Sequence, residues 1–335
     1  MSQLLVTQSF GKESEFRRVI LAILSAFVYW KGDKNELQVV LFTDKPCFFS
    51  NWLKGLNVHY VTLTPEKIKV MRGEIDFLHR MKIALIEESF ALFPNSDMFY
   101  FDSDTFFIDN PLKGFQKVSE NQSSMHLHEY QFETIKDMPL PAGETFQAFY
   151  KLIVSKDFSL TNGEYLNVLP ADSSWNAGVM CLHQTHARFL NDVYILTDQF
   201  YPNTKNHASE QYAFSILLQK NTNLIPCEEL VYHYWYRIKK QIIDLILEKE
   251  DFLNIENLEL VQKLIIIKEY TISLPMIFEN HYLTLNDNAF QSFHENVFIK
   301  GYFWYFRSLM KSPLEAISKL KDVLYHSKRM ILDRK

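Results

Sequence analysis

Over its first hundred residues the chain alternates short apolar runs with segments of helical period, and nothing else in the sequence restricts the fold as much. The run at 4–7 (LLVT) breaks at Gln8-Ser9-Phe10-Gly11, after which Phe16, Val19, Ile20, Ile23, Leu24 and Phe27 recur on one helix face. The run at 37–43 (LQVVLFT) is β-branched and stops at Asp44-Lys45-Pro46, and 57–63 (NVHYVTL) reads as a third strand. Pro65 opens a short helix, 78–93 reads as a longer amphipathic helix stopped by Pro94-Asn95, and 98–101 (MFYF) is a short buried strand. Strands that alternate with helices lie parallel, which predicts an α/β class: a Rossmann-like, mixed but mainly parallel sheet flanked by helices. In such a sheet ligands bind beyond the carboxyl ends of the strands.

From 119 to 172 the pattern loosens around Pro139, Pro141, Gly143 and Gly163, an excursion with one helix near 146–154. Order resumes at Trp175, with a helix over 210–219 and a short strand at 224–226. From about Arg237 the composition turns helical and rich in Lys, Ile, Leu and Glu, so a domain at 1–236 and a helical C-terminal extension at 237–335 are expected. Nine glycines and eleven prolines are too few for a turn-rich β-sandwich. No GxGxxG follows the first strand and no GxxxxGK[ST] occurs, which removes a dinucleotide fingerprint and a P-loop as explanations of the Rossmann-like opening.

Cys47, Cys181 and Cys227 are odd in number and in no CxxC spacing, so neither a disulfide framework nor a zinc site is indicated, and a reducing, cytoplasmic compartment is expected. The apolar stretch 19–30 falls short of the roughly 20 residues a membrane span needs, and no small-x-small cleavage site follows it. It reads as a buried helix, with neither a transmembrane segment nor a signal peptide expected. Residues 300–335 carry nine Lys/Arg against three acids, a local charge of +6 that leaves −11 for the rest. The same tail holds Tyr302, Phe303, Trp304, Tyr305 and Phe306. Basic residues beside aromatics suit either peripheral contact with an anionic membrane or a solvated helix whose rings pack back on the body. The acidic body argues against nucleic acid.

Chemistry concentrates where the 98–101 strand runs straight into Asp102-Ser103-Asp104. Two carboxylates one residue apart at a strand's carboxyl end can share Mg²⁺ or Mn²⁺ and so bridge a diphosphate. A bare DxD arises by chance on the order of once in a chain this long; its place after a strand is what gives it meaning. The competing reading is a turn whose aspartates cap a helix. His183 and His186 have HxxH spacing, but a helical turn after the 179–182 run explains them better than a metal does. His126 and His128, in the excursion, are candidates for ligand contact.

Together with three further segments, the DxD resembles the glycosyltransferases of the GT-A fold, in particular the retaining family 8 enzymes that use nucleotide-sugar donors. Trp175-Asn176-Ala177-Gly178-Val179-Met180 is similar to the family's FNAGV segment, and Ser209-Glu210-Gln211-Tyr212-Ala213-Phe214 to its DQDxLN segment. His233, with Lys239 six residues later, matches its HYxGxxKPW motif. The resemblance spans roughly residues 1–240. It implies a hexosyltransferase (EC 2.4 class) moving a sugar from a UDP-sugar to a glycan or glycolipid acceptor with retention of configuration. It further implies Asp102, Asp104 and His233 as ligands of Mn²⁺ or Mg²⁺, with Thr7, Arg80, Ser103, Asn176 and Lys239 near the donor. At the anomeric carbon Glu210 would be a covalent nucleophile or Gln211 a stabilising dipole.

The chain departs from the family at Thr7-Gln8-Ser9, where an acidic pair is usual, at Tyr236 in place of Gly, and at Lys240-Gln241 in place of Pro-Trp. For His233, packing among aromatic neighbours competes with metal ligation, and for Arg80 a solvated helix face competes with phosphate contact. Two alternatives stand beside the retaining reading. One is an inverting enzyme of the same fold with Asp172 or Glu210 as general base; the other is a nucleotide-sugar or glycan-binding protein without turnover.

Overall fold

The structure, a computed structural model, describes residues 3–141 and 143–332. Among the described residues are thirteen strands: β1 (Gln3–Ser9), β2 (Leu37–Thr43), β3 (Val58–Thr62), β4 (Asp97–Phe101), β5 (Thr105–Phe107), β6 (Gln122–Met125), β7 (His128–Gln131), β8 (Phe158–Ser159), β9 (Tyr165–Leu166), β10 (Ser173–Trp175), β11 (Val179–Leu182), β12 (Asn223–Pro226) and β13 (Val231–His233). Seven of them form one sheet in the order β12-β6-β11-β4-β1-β2-β3. All neighbours in it run parallel except β11, which is antiparallel to both β4 and β6. The expected mixed, mainly parallel sheet with flanking helices and a helical C-terminal extension is what the chain forms.

Side chains of the sheet alternate between two cores, as the pleat requires. Leu5, Val39 and Leu41 face one, and Leu4, Val6, Val40 and Phe42 the other. The first core is filled by the helix Glu13–Tyr29, buried almost continuously from Phe16 to Phe27, because the helices Arg237–Leu247 and Leu260–Asn280 cover its far side. That sheathing explains the apolar stretch 19–30: a helix apolar all round lies in the interior. Among the described residues no helix is long and apolar enough to cross a membrane.

The extension is joined to the body by apolar and polar contacts alike. Ile242, Ile243, Leu247, Ile267, Leu274 and Phe278 belong to the same core as Leu5 and Phe16. Within it, Arg18 is 6% exposed and reaches Asp244 at 2.7 Å. In the tail, Tyr302, Trp304 and Tyr305 pack on a small cluster of Ala289, Phe293 and Val323, whereas Phe303 and Phe306 stay exposed. The reading in which the rings pack back thus describes three of the five. Asp333, Arg334 and Lys335 of that tail lie outside the described residues.

Phe278 stacks on Tyr232 of β13 at 5.8 Å and lies tilted against Tyr234 at 5.7 Å. Phe278→Ala is expected to cost about 3–5 kcal/mol. Urea denaturation followed by tryptophan fluorescence and far-UV circular dichroism should show one coincident transition, shifted as a whole; two separated transitions would mean that the extension folds apart from the sheet.

Candidate active site

Three strand pairings bring distant residues to the carboxyl end of β4. Because β11 is antiparallel to β4, its beginning lies beside that end: Val179 pairs with Phe101, and Asp102 N–H donates to Gly178 O at 2.8 Å. The segment Asn176-Ala177-Gly178 is thereby laid against the two aspartates. In the second pairing, β13 runs antiparallel to β5 with His233 opposite Thr105, and Tyr234 N–H donates to Asp104 O at 2.9 Å. The third sets β10 against β7, Ser174 opposite Tyr130.

A helix then fixes the approach to these elements. Gln211, Ser215 and Gln219, four residues apart on one face of the helix Ser209–Asn221, accept hydrogen bonds from the backbone N–H groups of Ala177 (3.1 Å), Trp175 (2.9 Å) and Ser173 (3.1 Å). The helix face substitutes for a neighbouring strand, satisfying amide groups that would otherwise be buried without partners. It also places Glu210 and Gln211, in its first turn, beside Asn176.

The resulting cavity holds about 440 Å³. Asp102, Asp104 and His233 line it, each offering one ligand atom within 4.8 Å of the others. His233 Nε2 is 3.3 Å from Asp104 Oδ1, and Lys240 Nζ is 2.6 Å from Asp104 Oδ2. Burial works against the charge of Asp104, but the hydrogen bond and charge of His233, with the ammonium of Lys240, outweigh it. The carboxyl is held well below the usual carboxylate range. Asp102 accepts from Tyr100 Oη and lies 3.5 Å from Lys82 Nζ.

Lys82 is 5% exposed and sits between Asp102, Glu210 Oε1 (3.1 Å) and Ala177 O (3.1 Å). Burial opposes its charge, yet Asp102 and Glu210 more than compensate and its pKa is raised. The second Glu210 oxygen is buried with no hydrogen-bond partner. His126 packs against His233, ring centroids 5.3 Å apart; burial first, then His233, bring its pKa down to about 4, so it is neutral at neutral pH.

Several expected residues take other places. Arg80 turns away from the cleft, its Nε 2.7 Å from Asp198 Oδ1 and its guanidinium over the Tyr194 ring. Lys239 donates to Tyr232 Oη at 2.9 Å and lies over that ring, outside the cavity lining; the lysines that face the cleft are Lys82 and Lys240. Ser103 donates to Glu15 at 2.8 Å, and Thr7 is buried within β1. Asp172 is tied to Lys220 at 3.0 Å and to the Leu169 N–H, also away from the cleft. His183 and His186 cap the short turn Gln184–Phe189 and hydrogen-bond within it.

One group in the cleft, Glu129 of β7, drew no attention in the sequence. Its carboxylate accepts from Gln211 Nε2 (2.8 Å), Ser174 Oγ (2.9 Å) and Asn176 Nδ2 (3.1 Å). No motif surrounds it. A partial signal existed in Gln211, Ser215 and Gln219, polar residues at helical spacing in a segment otherwise buried.

No protein-family model matches the chain, and no curated protein matches it either. Among solved structures it is similar to mouse xyloside xylosyltransferase 1 in its apo form, with 13% identity, a TM-score of 0.45, and coverage of 68% of this chain and 85% of that one. It is also similar to the galactosyltransferase LgtC in complex with donor and acceptor sugar analogs, with 12% identity, a TM-score of 0.43, and coverage of 75% and 99%. The glycosyltransferase GlyE of Streptococcus pneumoniae TIGR4 shows 12% identity, a TM-score of 0.41, and coverage of 83% and 64%. Likeness at this level does not assign an activity to the chain.

A Cβ added to Gly178 would lie 2.0 Å from His233 Cε1, so only glycine lets the ring reach Asp104. Gly178→Ala is expected to displace His233 and to weaken, by about 10–100-fold in titration calorimetry, the binding of any divalent ion that Asp102, Asp104 and His233 hold. Unchanged affinity would mean that His233 is not a ligand.

Proposed function

We propose that the chain is a metal-dependent glycosyltransferase that moves a hexose from a UDP-sugar to a glycan or glycolipid acceptor with retention of configuration. The observation that carries this reading is the convergence, in one cleft beyond β4, of Asp102, Asp104 and His233 with two lysines and the Glu210-Gln211 pair. Two carboxylates and an imidazole nitrogen fit Mn²⁺ or Mg²⁺ as a donor set. When bound, the ion would neutralise charge growing on the departing diphosphate. The chain itself adds Lys240 and Lys82, whose ammonium groups face the same space.

For the anomeric face, the arrangement favours Gln211 over Glu210. The Gln211 amide is held at both ends, by Glu129 and Ser174 through its nitrogen and by Ala177 N–H through its oxygen, so its dipole is fixed before any substrate arrives. Glu210 is paired with Lys82, which lowers its strength as a nucleophile. An inverting reaction would need a carboxylate free to take the acceptor proton. Glu129 is engaged by three donors and Asp172 lies elsewhere, and this supports retention.

The tail supports docking on an anionic membrane at the cytoplasmic side. Ile299, Phe303, Phe306 and Met310 recur on one face of the helix Phe298–Lys311, from 55% to 85% exposed, with Lys300 and Lys311 beside them. The double substitution Phe303→Ser, Phe306→Ser is expected to abolish co-sedimentation with phosphatidylglycerol vesicles; retention of full binding would remove this part of the reading.

The central test is Mn²⁺-dependent hydrolysis of a panel of nucleotide sugars. Slow release of UDP from one donor is expected, reduced at least about a hundredfold by Asp104→Ala, with the α or β configuration of transferred product read by NMR. No release from any donor, together with no Mn²⁺-dependent nucleotide binding, would overturn the enzyme reading.

A further inference from the structure

We infer that Glu129 is the positioning residue of this site, setting through Asn176 which nitrogen of His233 is left to bind metal, and through Gln211 the direction of the amide dipole. The inference rests on the reading of Asp102, Asp104 and His233 as metal-holding residues, and it starts from the fact that an ionised carboxylate only accepts hydrogen bonds. Asn176 must therefore turn its Nδ2 towards Glu129, at 3.1 Å, and its Oδ1 the other way. There Oδ1 meets the Gly178 N–H at 3.0 Å, a group that only donates, so both sides of the amide demand the same orientation.

His233 Nδ1 lies 3.0 Å from that same Oδ1. An oxygen that cannot donate requires a proton on Nδ1. Nε2, 3.3 Å from Asp104 Oδ1, can donate to that carboxylate in the free site, and a bound metal would take the place of that proton. A histidine that ligates a metal donates its other ring N–H to an orienting partner in the same way. Here the partner is an amide that is itself held by a carboxylate. Glu129 thus connects Gln211, at one side of the cleft, to the Asp104–His233 pair at the other through Asn176.

Three full-length proteins test this: the wild type, Glu129→Gln, and the double variant Glu129→Gln, Asn176→Asp. A glutamine at 129 offers one acceptor oxygen where three donors converge, so Mn²⁺ binding in titration calorimetry is expected to weaken about tenfold. In long-range ¹H–¹⁵N spectra with diamagnetic Mg²⁺ bound, His233 of the wild type should carry its proton on Nδ1, and in Glu129→Gln the two ring nitrogens should move towards averaged shifts. The double variant exchanges donor and acceptor between the two positions. Its glutamine nitrogen can donate to the new carboxylate, which still accepts from Gly178 N–H and His233, so the wild-type affinity and spectrum should return. Mg²⁺-loaded wild-type protein without a proton on Nδ1 would overturn the inference without recourse to any variant, as would a folded Glu129→Gln with unchanged affinity and spectrum. Absence of Mn²⁺ binding by the wild type, with His233 nonetheless protonated on Nδ1, would overturn the metal reading while leaving the positioning role of Glu129 standing.

Discussion

The hydrogen bond from Asp102 N–H to the carbonyl of Gly178 closes the end of the sheet, and the cleft is arranged around it. It exists because β11 enters the sheet antiparallel beside β4, the one reversal of direction among strands that otherwise run parallel. A parallel neighbour would bring its own carboxyl end to this point and carry the chain away into a helix. The antiparallel one brings its start, so the loop before it is presented to the aspartates. Gly178 sits at the closest point, and the missing Cβ is the space that His233 fills.

Charge in the cleft is balanced by contacts that cross between elements. Lys82 comes from the helix Met81–Leu92, Glu210 from the helix Ser209–Asn221 and Asp102 from the end of β4, and the ammonium stands within 3.5 Å of both acids. A buried ion pair adds little net stability once desolvation is counted, but removing one partner leaves an uncompensated charge. Such a group is better understood as a device that fixes position. It ties the first turn of one helix to the floor of the cleft, and it leaves Glu210 Oε2 as an unpartnered oxygen at the same floor.

Much of the scaffold was legible in the sequence because it follows from period and composition. β1 to β4 and the helices between them stand where apolar runs and helical spacing predict them. β6 was not legible: Gln122-Ser-Ser-Met125 has no strand-like composition, yet Ser123 and Ser124 are fully buried in a strand between β12 and β11. Its place follows from pairing with β11 and β12, and no local pattern encodes that. The aspartates announced themselves by sitting after a strand. Glu129 could not, since its partners are 45 or more residues away and meet it only through the β7–β10 pairing and the helix packed on it. Arg80 shows the converse limit, for nothing near it in sequence foretells that Asp198, 118 residues on, takes its guanidinium.

The exchange between Lys239 and Lys240 has a simple geometric cause. Successive residues on a helix point about 100° apart, so when the helix Arg237–Leu247 begins just after His233 only one of the two lysines can face the cleft. Lys239 is claimed by the aromatic side, where its ammonium lies 5.0 Å from the Tyr232 ring and 5.9 Å from those of Tyr236 and Phe278. Tyr232 and Phe278 belong to the core that joins the extension to the body, so the direction of Lys239 is settled by packing that has nothing to do with the cleft. Lys240 then turns to Asp104 by rotation alone. A proline there would offer no cation, and the charge of the cleft would have to come from elsewhere. The extension therefore does more than cover a helix: by fixing the phase of one helical turn, it selects which lysine reaches the acids.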